Sequence, residues 1–130
     1  MDQDYDDVIA AIHFDDQGLV PVIAQQHDKG EVLMVAWMNR AAVVETLNTR
    51  MAVYWSRSRQ ELWRKGNISG QTQTIIDLRI DCDGDTILLL VDQKGVACHT
   101  GRRSCFFTSI IDGQETVLNT PQIDPKVLYP

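Results

Sequence analysis

The chain has 130 residues, 44% of them hydrophobic, with a formal net charge of −6. That length predicts one domain over 1–130 with an ordinary core, and the acidic balance argues against a general nucleic-acid binder. No apolar run approaches the roughly 18 residues of a membrane span, and Met1 to Asp7 carries four aspartates and no basic residue, unlike a secretory signal; a cytoplasmic protein is expected.

In chain order, Leu19 to Ala24 reads as a strand, with Pro21 marking an edge or a strand start. Asp28-Lys29-Gly30 is a turn. Val32 to Met38 is unbroken apolar and predicts a buried strand. Asn39 can cap a helix over Arg40 to Leu47, with Val43, Val44 and Leu47 as its apolar stripe. Ala52 to Trp55 and Glu61 to Arg64 are β-prone, and Gly66 and Gly70 bound a polar loop. From Thr74 the pattern alternates, placing Ile76, Leu78, Ile80 and Cys82 on one face and Asp77, Arg79 and Asp81 on the other. Asp83-Gly84 is a two-residue hairpin signal, with Ile87 to Val91 as the return strand and Asp92 to Gly95 as a further turn. Phe106 to Ile111 and Glu115 to Leu118 flank a last hairpin turn at Asp112-Gly113, and the tail with Pro121, Pro125 and Pro130 reads as extended. The expected class is α+β, mainly antiparallel β with one or two short helices.

The chemistry concentrates in one stretch. All three cysteines lie there: Cys82, Cys98 and Cys105. An odd count favours reduced thiols over a disulfide framework, and no Cys-x-x-Cys pair suggests a zinc ribbon or a thioredoxin-like motif. Three thiolates can hold zinc and leave its fourth position open, the layout of a catalytic site. The thiolates could come from one chain or be shared across a dimer. Asp81, Asp83 and Asp85 alternate around Cys82 and can converge on a harder cation such as magnesium. Clustered carboxylates repel, and a cation relieves that repulsion. An EF-hand fails on detail: counting from Asp81, its required glycine and glutamate positions hold Thr86 and Asp92. Two basic islands, Arg57, Arg59, Arg64 and Lys65, then Lys94, Arg102 and Arg103, could bind phosphates.

Several runs together resemble the phosphoribosyl-AMP cyclohydrolase family of histidine biosynthesis. They are Glu31 to Asn39, Tyr54-Trp55-Ser56-Arg57-Ser58-Arg59, Leu62-Trp63-Arg64-Lys65-Gly66, Ser69-Gly70, Asp81 to Asp85, Ala97-Cys98-His99-Thr100-Gly101 and Ser104-Cys105-Phe106. The resemblance covers about Leu19 to Phe107, in matching order and spacing. This chain has Gly66-Asn67-Ile68-Ser69-Gly70-Gln71 where the family often reads Gly-Glu-Thr-Ser-Gly. Some members carry a fused phosphoribosyl-ATP pyrophosphohydrolase domain. This chain is too short for one, so that activity is expected from another polypeptide.

The resemblance implies a homodimer with metal sites near the subunit interface and hydrolytic opening of the purine ring of phosphoribosyl-AMP at the N1–C6 bond. It implies zinc on Cys82, Cys98 and Cys105, drawn from both subunits, and magnesium on Asp81, Asp83 and Asp85. Zinc with three thiolates is formally anionic and acidifies water less than a three-histidine site, so something must compensate. His99, directly after Cys98, is the candidate base. Related zinc chemistry attacks ring carbons in nucleobase deaminases. Arg57, Arg59, Lys65, Arg102 and Arg103, with Ser56, Ser69 and Gly70, are the candidate phosphate contacts, and Trp37, Trp55 and Trp63 include candidate stacking surfaces for the purine. Two rivals stand beside this reading: a zinc-stabilised interaction module without activity, and a zinc hydrolase or deaminase acting on another nucleotide.

Overall fold

The computed structural model describes residues 5–129; Met1 to Asp4 and Pro130, which entered the readings of the N-terminus and the tail, lie outside them. A four-stranded sheet forms the centre. Its strands are β1 (Val20–Gln26), β2 (Val32–Met38), β5 (Gln73–Ile80) and β6 (Ile87–Gln93), in the order β2-β1-β6-β5. β1 pairs antiparallel with β2 and parallel with β6, while β5 and β6 pair antiparallel. β3 (Val53–Ser56) with β4 (Glu61–Arg64), and β7 (Thr108–Ile111) with β8 (Gln114–Val117), form two separate antiparallel hairpins. With helices α1 (Asp6–Ala10), α2 (Arg40–Thr49) and α3 (Pro125–Leu128), the class is α+β.

Local chemistry explains most elements. In β1, Val20, Val22 and Ala24 alternate inward and are fully buried. β1 is an interior strand, yet Pro21 is tolerated because the ladder to β6 starts only at Val22. The Asn39 side chain caps α2, its Oδ1 accepting from the Ala42 N–H at 2.9 Å. The inward face of α2 is Ala42, Val43 and Thr46 rather than the predicted stripe; Val44 and Leu47 are only partly buried. Thr46 explains the shift. Its hydroxyl donates to the Val53 carbonyl and accepts from the Val53 N–H, at 3.1 and 3.0 Å, fastening α2 to β3. Between the sheets, Tyr54 donates to Gln73 Oε1 at 2.6 Å, and Gln73 Nε2 donates to Gln93 Oε1 at 2.8 Å. No buried side-chain nitrogen or oxygen among the described residues lacks a partner.

Four expectations need correction. A bulge between Ile75 and Asp77 shifts the phase of β5, so Ile75 is buried and Ile76 is exposed, while Leu78 and Ile80 still pack on the core. Cys82 does not continue that apolar face: β5 ends at Ile80 and Cys82 is exposed in the following loop. The connection at Asp83-Gly84 is a wider loop over 81–86, not a two-residue turn, because Ile80 pairs with Ile87. The Asp81 carboxylate holds that loop open by accepting from the Asp85 and Thr86 N–H groups at 3.0 and 3.3 Å. Finally, the tail is not wholly extended. Asp124 Oδ1 accepts from the Lys126 N–H at 3.0 Å and starts α3 with Pro125 in its first turn, while α1 was not foreseen.

The Asp112-Gly113 turn is as expected. Ile111 pairs with Gln114, and both turn residues have positive φ, 52° and 76°.

Candidate active site

Two loops and the β3–β4 hairpin converge on one cavity of about 880 Å³. Of the residues singled out from sequence for metal, substrate or phosphate, Ser56, Arg59, Trp63, Arg64, Ser69, His99 and Cys105 line it. The hairpin register explains part of this. Pairing of Trp55 with Leu62 and of Tyr54 with Trp63 leaves the turn between the strands to bring Ser58 and Arg59 to the rim. Trp63 is braced from behind by Tyr54, with ring centroids 5.8 Å apart and planes at 39°.

Cys98, between the lining residues Ala97 and His99 in the chain, is only 5% exposed, and its sulfur accepts from the Thr100 hydroxyl at 3.1 Å. Burial works to raise the Cys98 thiol, but hydrogen bonds from Thr100 and from the Cys105 thiol, with Arg102 nearby, bring it below the usual range. Cys105 moves the other way. Its surface is open to solvent, yet desolvation of the thiol, followed by the adjacent Cys98, pushes it up to about 12. The two sulfurs thus form one interacting pair, Cys98 shifted down and Cys105 shifted up. The Cys105 backbone N–H donates to the Leu33 carbonyl at 2.7 Å, tying this segment to β2.

Cys82 is elsewhere. It follows β5 at one edge of the sheet, whereas Cys105 is tied to β2 at the opposite edge. Three strand spacings separate those edges, roughly 14 Å. Sulfurs sharing one zinc lie within about 4 Å of each other, given Zn–S bonds of about 2.3 Å. Among the described residues, the group able to converge on a metal is instead Asp81, Asp83 and Asp85, whose ligand oxygens lie within 4.8 Å of one another. Hydrogen bonds that the protonated Asp85 carboxyl donates to Asp81 and then to Asp83 raise it above its ordinary value, as expected of crowded anions.

The basic islands divide by partner. Arg64 is held by Glu45 through two contacts of 2.5 and 2.7 Å. Arg103 donates to Glu31 Oε1 at 3.0 Å and to the Gln93 and Gly95 carbonyls at 3.0 and 2.8 Å. Arg102 stacks on Phe107 at 4.0 Å and donates to the Asn119 carbonyl at 3.2 Å. Arg57 lies 4.5 Å over the Trp37 ring, and neither residue lines the cavity. Lys65 is buried, and Gly70 stands outside the lining as well. Arg59 is the arginine left facing the cavity beside the Glu45-bound Arg64. Sequence reasoning missed Met34, Val35, Ala36, Ser58 and Tyr129 in the lining. Only the apolar run of β2 hinted at the first three. Tyr129 arrives through tail contacts: the Gln122 and Ile123 N–H groups donate to the Gly101 carbonyl at 2.8 and 3.2 Å.

The family model for phosphoribosyl-AMP cyclohydrolase matches residues 34–107. A phosphoribosyl-AMP cyclohydrolase of Rhodospirillum rubrum is 67% identical over 121 residues, covering 92% of this chain and 85% of that protein. Proteins of the same description from Granulibacter bethesdensis and Hydrogenovibrio crunogenus are 64% and 61% identical, covering 95% and 97% of this chain and 97% and 86% of theirs. The chain belongs to the phosphoribosyl-AMP cyclohydrolase family. It is an enzyme, of the hydrolase class. Where its sequence departs from the usual cyclohydrolase run, Asn67 and Ile68 line the cavity. Gln71 instead holds the next loop, its Oε1 accepting from the Val96 N–H at 3.1 Å. Among the described residues no helix is long and apolar enough to cross a membrane.

Proposed function

We propose that this enzyme opens the purine ring of phosphoribosyl-AMP in histidine biosynthesis, adding water at C6 and breaking the N1–C6 bond. The observation that carries this reading is a thiol pair, Cys98 and Cys105, against a cavity that also presents His99, Trp63 and Arg59 in a cyclohydrolase chain. C6 keeps its exocyclic nitrogen and gains the water oxygen, becoming a carboxamide carbon. His99 accepts one proton from the attacking water and returns it to N1 as that nitrogen departs. The second water proton goes to the exocyclic nitrogen, an imine in the neutral N1-substituted ring, which becomes the carboxamide NH2, so atoms and charge balance. Trp63 offers a face for the purine, and Arg59, Ser56 and Ser69 suit a phosphomonoester. The product is the ring-opened carboxamide ribonucleotide.

The donor atoms fit two metals. Thiolates suit zinc, and Cys98 and Cys105 of one copy with Cys82 of a second copy would complete its three ligands. The distance between sheet edges supports a shared site, and hence a homodimer. So does the β7–β8 hairpin. An isolated two-stranded hairpin is marginal in water, and this one exposes Ile110, Ile111, Val117 and Leu118. Zinc bound there would supply Lewis acidity to the reaction. Asp81, Asp83 and Asp85 would hold magnesium, a hard cation matched to three convergent carboxylates. Three unpaired cysteines are in keeping with a reducing cytoplasm.

The test is direct. Purified chain supplied with zinc and magnesium is expected to hydrolyse phosphoribosyl-AMP, read as a change in ultraviolet absorbance. Activity should vanish with a zinc chelator and return with added zinc. A folded, metal-replete sample without turnover would make a non-catalytic zinc-stabilised module the better reading, and released ammonia would point to deamination instead.

Arg59→Ala is expected to raise KM about 10- to 100-fold, the loss of one charge-assisted phosphate contact, with kcat changed less. Unaltered kinetics would remove Arg59 from the substrate's surroundings.

A further inference from the structure

Lys65 is the one charged side chain that is buried among the described residues, at 5% exposure. Its backbone N–H donates to the Ala52 carbonyl at 3.1 Å, which seats the residue at the end of β4. The side chain then crosses to the cysteine-bearing loop, where Nζ donates to the Ala97 carbonyl at 2.8 Å. That carbonyl belongs to the residue before Cys98. On its other side, Nζ lies 5.4 Å from the Trp63 ring centroid. Trp63, Arg64 and Gly66 line the cavity, but Lys65 does not.

The amine has no carboxylate partner. The ion pairs among the described residues join Arg40 to Asp6, Arg64 to Glu45, Arg79 to Asp77 and Arg103 to Glu31. A buried ammonium without a countercharge is strongly unfavourable. Desolvation lowers its basicity, and the groups whose ionised forms would favour its charge are Cys105 and Cys98. The basic residue of the loop itself that bears on the pair, Arg102, is half-exposed and committed to Phe107 and Asn119.

We propose that Lys65 is a positioning residue whose buried ammonium is the fixed countercharge of the Cys98–Cys105 pair. This rests on the zinc reading of those thiols. Two positive charges on the metal and three negative charges on its thiolates leave one excess negative charge, which a neighbouring ammonium offsets. The offset answers the weak acidification expected of an all-thiolate site. It also replaces the expectation that Lys65 grips a substrate phosphate, since Lys65 is absent from the cavity lining and its amine is committed to the Ala97 carbonyl.

The test compares zinc affinity, measured by competition with a chromogenic chelator, in the wild type, Lys65→Gln and Lys65→Arg. Gln can still donate to the Ala97 carbonyl but carries no charge, whereas Arg keeps the charge. The Gln variant is expected to bind zinc about 10- to 100-fold more weakly, the effect of losing one opposite charge near the ligands at an effective dielectric of about 20. The Arg variant should stay within about threefold of wild type. Cobalt bound in place of zinc should show weakened thiolate charge-transfer absorption in the Gln variant alone. At saturating zinc, kcat should fall in the Gln variant while KM stays within about twofold.

Wild-type zinc affinity in the Gln variant overturns the proposal, as does an Arg variant that loses as much as Gln. Raised KM with unchanged zinc affinity overturns it too, and restores a phosphate contact. If Gln fails to fold by circular dichroism, Lys65→Met makes the same comparison with an unbranched neutral chain. A wild type that binds no zinc overturns this proposal together with the zinc reading; wild-type binding with indifferent variants overturns this one alone.

Discussion

Mixing two inactive variants, Cys82→Ser and Cys98→Ser, is expected to restore about a quarter of wild-type hydrolysis after the chains exchange. The fraction follows from symmetry. Half of randomly reassorted dimers are mixed, and in a two-fold dimer each mixed pair rebuilds one complete site and one doubly defective site. Each variant alone should lose zinc binding and activity by several orders of magnitude, since removing a first ligand removes both the metal and its chemistry. The physical ground is the separation of Cys82 from Cys105 across the sheet, at opposite edges of the order β2-β1-β6-β5. If all three thiols served one chain, mixing would restore nothing, and the shared-site proposal would fall.

The second large effect concerns His99. Its side chain is exposed, lines the cavity beside Cys105, and follows the buried Cys98 in the chain. His99→Ala is expected to lower kcat about 10²- to 10⁴-fold, the range for loss of a positioned acid–base group. Zinc affinity and KM should change little, because the residue is assigned to proton transfer rather than to the metal or the phosphates. Steady-state kinetics over a range of pH, with zinc content measured alongside, would check this. Near wild-type turnover at every pH would strip His99 of its role and direct attention to other polar residues at the rim, Ser58 or Tyr129.

How much could be read beforehand depended on the range of the interaction. Elements set by neighbours in the chain were legible. Asn39 announced the start of α2 because an N-cap is a contact over three residues. Asp112-Gly113 announced the β7–β8 turn because both positions need positive φ. The alternation through β5 was legible only beyond its bulge at Ile76, where Leu78 and Ile80 pack on the core, since a bulge depends on what the facing strand requires. The same limit applied to Asp83-Gly84. The dipeptide favours a tight turn, but the loop is wider because the Asp81 carboxylate caps it and its Gly84 carbonyl accepts from the His13 N–H at 2.8 Å.

The arginines and the lysine show why site residues were only partly legible. From sequence, Arg57, Arg59, Lys65, Arg102 and Arg103 were equivalent cations near a metal motif. In the fold, Glu31 and two carbonyls take Arg103, Phe107 and Asn119 take Arg102, and Ala97 takes Lys65. Charge is a property of the residue, whereas its partner is a property of the packing.

Taken by itself, the sequence determined the family, the α+β class and the inventory of reactive groups, because ordered motifs, residue period and side-chain chemistry are all local. Only the tertiary structure decided which of those groups meet. The sheet order put Cys82 and Cys105 at opposite edges and brought Cys98, Cys105 and Lys65 together, since contacts between distant segments depend on which strands pair and which surfaces must be buried.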